Sequence, residues 1–95
     1  MSKQPCIYIL TSNNRKVFYV GVTSQLKQRI WQHRTKQVEG FSNRYNTTCL
    51  VYYELFDDIS LAISREKRLK KWKRDWKVEL IQKFNPELKD LYDQI

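Results

Sequence analysis

The sequence has little of what would mark several large classes of protein. Its 95 residues include only two Gly, two Pro, two Cys and one His. So few Gly and Pro exclude low-complexity or linker-rich character. Cys6 and Cys49 are far apart, in apolar surroundings and without CxxC spacing, and they read as reduced core thiols. Two distant cysteines and His33 supply too few ligands for zinc, so a zinc site is rejected. No apolar run approaches membrane-spanning length, and the opening Met-Ser-Lys-Gln-Pro lacks the apolar core of a signal peptide. A cytoplasmic protein with no membrane partner is expected. There is no internal repeat, and the length allows one domain, residues 1–95, with a single small core.

What the sequence does have is positive charge. Eighteen Lys+Arg against ten Asp+Glu leave a net +8, which favours a polyanionic partner, nucleic acid first. A merely solubilising basic surface is the plainer alternative.

Cys6 to Leu10 and Val17 to Val22 are β-forming runs separated by the turn cluster Thr11-Ser12-Asn13-Asn14. They predict a hairpin with Tyr8 and Tyr19 on neighbouring antiparallel strands. The stretch from Tyr19 to His33 reads as a strand end, a turn and a helix that begins just after Gly21, capped by Thr23 or Ser24. At about 100° per residue from Leu26, Ile30 falls at about 40°, His33 at about 340° and Arg29 at about 300°. A cation and an imidazole therefore flank the buried stripe, near the Tyr19 end of the strand. This meeting point is the candidate site.

The helix is expected to run to about Lys36, followed by a surface loop from Gln37 to Thr47. Beside Arg44 in that loop, Phe41 and Tyr45 either stack on bases or pin the loop to the core, pinning being preferred. Thr48 to Phe56 reads as a third strand. Asp57, Asp58 or Ser60 then caps a helix from Ser60 to Lys73.

On that helix, with Ile59 at 0°, Ala62 lies at about 300°, Ile63 at about 40°, Leu69 at about 280° and Glu66 at about 340°. Glu66 is inside the apolar arc. A buried carboxylate needs a partner there, such as Arg29, a metal ion or a hydroxyl; a structural ion pair is the plainer reading. The run Arg65 to Lys77 holds eight basic residues in thirteen. Lys67, Arg68, Lys70, Lys71, Lys73 and Arg74 are accordingly the candidate nucleic-acid-binding residues.

Trp72, Trp76, Leu80, Ile81 and Phe84 continue as a further amphipathic helix, kinked near Arg74-Asp75 and covering the sheet. Trp72 either joins the core, the commoner use, or lies among the lysines as a stacking platform. Asn85-Pro86 ends this helix, and Leu88 to Tyr92 forms a short terminal helical turn.

Cys6-Ile7-Tyr8 paired with Tyr19-Val20-Gly21, then Arg29 and Glu66 on successive helices, resembles the GIY-YIG nuclease domain over nearly the whole chain. Leu50-Val51-Tyr52-Tyr53-Glu54 and Arg65-Glu66-Lys67 are similar to its small stand-alone bacterial members. Cys6 stands where the family name has its first Gly, and Val20 where it has Ile.

The resemblance implies an α+β fold, a three-stranded antiparallel sheet flanked by helices. It implies a divalent-metal-dependent endonuclease that hydrolyses DNA phosphodiester bonds, structure-selective or weakly selective, in repair or recombination. Tyr8, Tyr19, Arg29, His33, Glu66 and Asn85 are the catalytic residues it implies. Glu66 would hold one Mg²⁺ or Mn²⁺, Arg29 would bind phosphate oxygens, and Tyr8, assisted or replaced by His33, would take the proton of water. The alternative is a catalytically weak or inactive module that binds DNA or structured RNA. A basic adaptor for an acidic protein is weaker, since it gives Arg29, His33 and Glu66 no joint task.

Overall fold

The computed structural model describes residues 3–37, 40 and 44–95. Its elements are β1 (Cys6–Thr11), β2 (Phe18–Thr23), α1 (Leu26–Arg34), β3 (Cys49–Leu55), α2 (Ile59–Lys71) and α3 (Arg74–Phe84), then a 3₁₀ turn at Tyr92–Gln94. The strands form one antiparallel sheet in the order β2-β1-β3. This is the expected α+β arrangement.

The central strand is buried along its whole length, and its side chains alternate between two layers. Ile7 and Ile9 face one way, packing with Val20, Val51, Tyr52, Ala62 and Leu69, so α2 covers that layer with Ile81 of α3. Tyr8 and Leu10 face the other way, against Ile30 of α1, Leu50 and Leu91. A register shift between Ile9 and Leu10 on the β3 side keeps both sets in place.

Asp58 caps α2 by accepting from the Ser60 amide at 3.1 Å, one of the expected caps. The cap expected for α1 is not formed. Thr23 still belongs to β2, and its hydroxyl accepts from the Gln25 amide at 3.1 Å, tightening the turn before the helix. Gln25 is the N-cap, without a side-chain bond to the helix, so α1 starts at Leu26. At its other end Lys36 takes a left-handed φ of 63°. Lys36 N–H donates to the His33 carbonyl and Gln37 N–H to that of Gln32, a Schellman closure that stops the helix at Arg34.

The expected kinked helix is instead two helices. Trp72 and Lys73 are extended, at ψ 147° and 152°, and separate α2 from α3. Arg74 then reaches back to the carbonyls of Lys16 and Arg15 and lies over the Phe18 ring. Trp72 packs against the core, whereas Trp76 is exposed, as are Ile59 and Ile63. The buried arc of α2 is centred on Ala62 and Leu69, turned away from both isoleucines. The terminal turn forms at Tyr92–Gln94, later than expected, because Leu88 takes a φ of 50°. Phe41 lies outside the described residues; Tyr45 is exposed.

Candidate active site

Strand register places Tyr8 opposite Gly21, and Tyr19 two pairs further along opposite Leu10. The Tyr8 ring crosses close to Gly21, where an added Cβ would come within 2.4 Å of its hydroxyl. Glycine at position 21 is required for room. The phenol thereby reaches α1, where its hydroxyl and His33 Nε2 share a hydrogen bond of 2.9 Å. Both groups are buried. Tyr19 completes a cluster of three rings, its centroid 6.3 Å from Tyr8 and 5.4 Å from His33.

Burial pushes the Tyr8 phenol well above its ordinary range, and the guanidinium of Arg29 offsets this only in part. Burial, reinforced by the same guanidinium, pushes His33 down to about 4. Near neutral pH the pair is therefore an uncharged phenol bonded to an uncharged imidazole. Arg29 sits on the rim of a polar cleft of about 220 Å³ with Gln25, Gln28 and Gln32. Its Nη1 donates to Gln32 Oε1 at 3.4 Å. The sequence reading passed over Gln32, although its i+3 spacing from Arg29 on a helix was the available signal.

Tyr8, Tyr19, Arg29 and His33 are thus brought together on the α1 layer. Glu66 belongs to α2, on the stripe of Ala62 and Leu69, which packs on the opposite layer. Its side chain is 15% exposed and its carboxylate pairs with Lys70 at 3.4 Å; among the described residues it makes no ion pair with Arg29. Because α2 packs against β2, the sheet's edge strand, the two layers can meet round the free edge of that strand.

Among the described residues no group of three or more His, Cys, Asp or Glu forms a cage for an ion. A lone, largely shielded carboxylate does suit Mg²⁺, which is commonly held by one or two carboxylates with substrate phosphates and water. The donor set fits.

Asn85 stands apart from the cluster. Its amide donates to the carbonyls of Val51 at 3.1 Å and Lys89 at 2.8 Å, and accepts from the Lys89 amide at 3.1 Å. Those bonds tie the end of α3 to β3. Of the candidate nucleic-acid-binding residues, Lys67, Arg68, Lys70, Lys71 and Lys73 are exposed. Arg74 is engaged with the hairpin carbonyls.

A bidentate pair also escaped the sequence reading. Arg65 donates to both oxygens of Glu54 at 3.0 Å, Tyr52 donates to the same carboxylate, and the clamp joins α2 to β3. Burial alone would raise the Glu54 carboxyl, but the hydrogen bonds from Arg65 and Tyr52 hold it below its ordinary value.

The family model of the GIY-YIG catalytic domain matches residues 4–85, which span all three strands, α1, α2 and α3. This chain belongs to the GIY-YIG catalytic domain family. It is similar to a UPF0213 protein of Syntrophus aciditrophicus (strain SB), 33% identical over 85% of this chain and 92% of the relative. A UPF0213 protein of Streptococcus pyogenes serotype M5 (strain Manfredo) is 31% identical over 94% and 97%, respectively. One from Haloquadratum walsbyi is 28% identical over 78% and 82%. No solved structure matches the chain. In this GIY-YIG domain the two name-giving tripeptides are adjacent strand segments, paired so that the tyrosine of the first covers the glycine of the second.

Proposed function

We propose that this GIY-YIG domain is a metal-dependent endonuclease acting on DNA, with Tyr8 and His33 as its proton-transfer pair. The observation that carries the reading is the 2.9 Å bond between the Tyr8 hydroxyl and His33 Nε2, with Arg29 against the phenol. A buried phenol is a poor base alone. Bonded to an imidazole, it can accept the proton of the attacking water while passing its own to Nε2, so that phenolate need not accumulate.

Arg29 presents a planar fork to the phosphate oxygens that gain charge as water attacks. Substrate also tunes the pair. The cation of Arg29 lowers the basicity of His33, and a phosphate bound to Arg29 neutralises that influence, so the imidazole becomes a better acceptor when substrate is in place. Tyr19, against His33 and partly open to solvent, orients water or phosphate. Glu66 would hold one Mg²⁺ or Mn²⁺, displacing Lys70. When bound, such an ion supplies Lewis-acid polarisation and neutralises phosphate charge. The exposed lysines beside Glu66 draw the strand in without reading its sequence, consistent with structure-selective or weakly selective action.

The deciding experiment is a cleavage screen with Mg²⁺ or Mn²⁺ over duplex, flapped, branched and single-stranded DNA and RNA. Cleavage by wild type and its loss in Tyr8→Phe are expected. One observation favours a second reading, a nucleic-acid-binding module with little turnover: the Glu66 carboxylate is neutralised by its own neighbour Lys70. Binding without cleavage of any strand would establish it.

A further inference from the structure

Beyond the polar cleft of Arg29 there is a second, mostly apolar cleft of about 570 Å³ on the adjoining face of α1. Leu26, Tyr92 and the Trp31 indole supply its apolar surface, and Gln25, Lys27 and Gln28 its polar groups. Gln25 and Gln28 line both clefts, so they form the ridge between them. Trp31 is 47% exposed, and among the described residues its ring has no aromatic or cationic partner. Tyr92, by contrast, is occupied: Lys27 Nζ lies 3.7 Å from its ring centroid and Arg34 4.2 Å.

We propose that this cleft is a subsite for one unpaired nucleobase, stacked on Trp31, whose strand crosses the Gln25–Gln28 ridge to set a neighbouring phosphate on Arg29. The proposal rests on the reading of Arg29 as a phosphate ligand and adds the kind of strand that the domain selects. Three features argue for a nucleobase. An indole face stacks on any base, whatever its sequence. The ridge glutamines offer amide donors and acceptors to the edge of a base, and only an unpaired base has that edge free. The surroundings suit the attached phosphates: no acidic side chain lines either cleft, Lys27 and Arg29 flank the ridge, and α1 has no acidic residue in its first turn.

The test is binding of the full chain, without divalent ions, to a labelled oligothymidylate single strand and to a hairpin duplex of equal charge, read by fluorescence anisotropy. Trp31→Ala should weaken single-strand binding about tenfold or more while changing duplex binding less than about twofold; Trp31→Phe should retain most of it. Equal losses on both probes, or no loss on either, overturn the subsite. If Trp31→Ala does not fold by circular dichroism, Gln28→Ala must give the same preferential loss on the single strand, and its failure to do so counts equally against the proposal. The nuclease reading fails separately, as absence of cleavage by a wild-type chain that still shows the Trp31-dependent preference.

Discussion

Tyr8 and Gly21 are mutually dependent: the phenol lies where a side chain at position 21 would stand, 2.4 Å from a Cβ built there. Tyr8 is 1% exposed and bonded to His33, so it has nowhere to retreat. Gly21→Ala is therefore expected to push the ring off His33, with a loss of about 1–3 kcal/mol in stability from overpacking and a larger proportional loss of cleavage. Urea unfolding beside single-turnover cleavage measures both. Unchanged cleavage would show that the Tyr8–His33 bond is not needed.

Acid should destabilise the domain through His33. Its folded value of about 4 lies below the 6.5 of an exposed imidazole, so between those values the unfolded chain holds more protons. The stabilisation is present in full above pH 6.5 and is lost as pH falls from there to 4, amounting to at most about 3 kcal/mol. His33→Asn should flatten this part of the curve. Denaturant midpoints from pH 8 to 4 for both proteins are the check.

Arg29 is expected to act on the barrier rather than on affinity. Arg29→Ala should reduce turnover about 10²-fold or more with little change in binding, and Arg29→Lys should rescue poorly because an ammonium cannot present the fork. Single-turnover rates beside a titration separate the two effects. Equal losses in both would make Arg29 a positioning contact.

Glu66→Ala should abolish ion-dependent cleavage at small cost to the fold. Lys70, its partner, is 51% exposed and remains hydrated when left alone. Thermal unfolding with and without Mn²⁺ gives a second readout: the ion should raise the wild-type midpoint and leave that of the variant unmoved. A severe loss of stability in the variant would mean that Glu66 is a structural ion.

Asn85→Ala is expected to behave in the opposite way. Removing the amide strands the carbonyls of Val51 and Lys89 and the Lys89 N–H, for a loss of about 2–4 kcal/mol. Specific activity of the folded fraction should persist. An inactive variant of undiminished stability would place Asn85 in the chemistry after all.

The three strands were legible because Val, Ile and Tyr runs are bounded by turn residues, and the start of α2 because Asp58 stands two residues before Ser60. Arg29 and His33 were legible as a pair by helical spacing. Why Tyr8 meets His33 was not, since the meeting depends on hairpin register, which a turn as long as Ser12 to Val17 leaves open. Glu66 showed the same limit in another form. Periodicity revealed that its carboxylate would be shielded but not on which face of the sheet. For Asn85 the partner carbonyl at Val51 is 34 positions away, beyond any local pattern. Trp76 misled because an aromatic at helical spacing normally faces a core, whereas the break at Trp72-Lys73 restarts the helix at a new angle.

The segment after α3 fastens the helix that carries Arg29 and His33. Leu91 N–H donates to the Leu50 carbonyl, Asp90 pairs with Arg34, and Lys27 donates to the Tyr92 carbonyl, so both ends of α1 are moored by residues that follow it by more than fifty positions. Contacts so distant along the chain form late, after the entropy of the intervening loop has been overcome. On a growing polypeptide, α1 can set Ile30 and His33 on the hairpin earlier, but its two ends lack these ties until Asp90 and Tyr92 have been synthesised. The helix that carries Arg29 and His33 is thus fastened at both ends only once Asp90 and Tyr92 are in place.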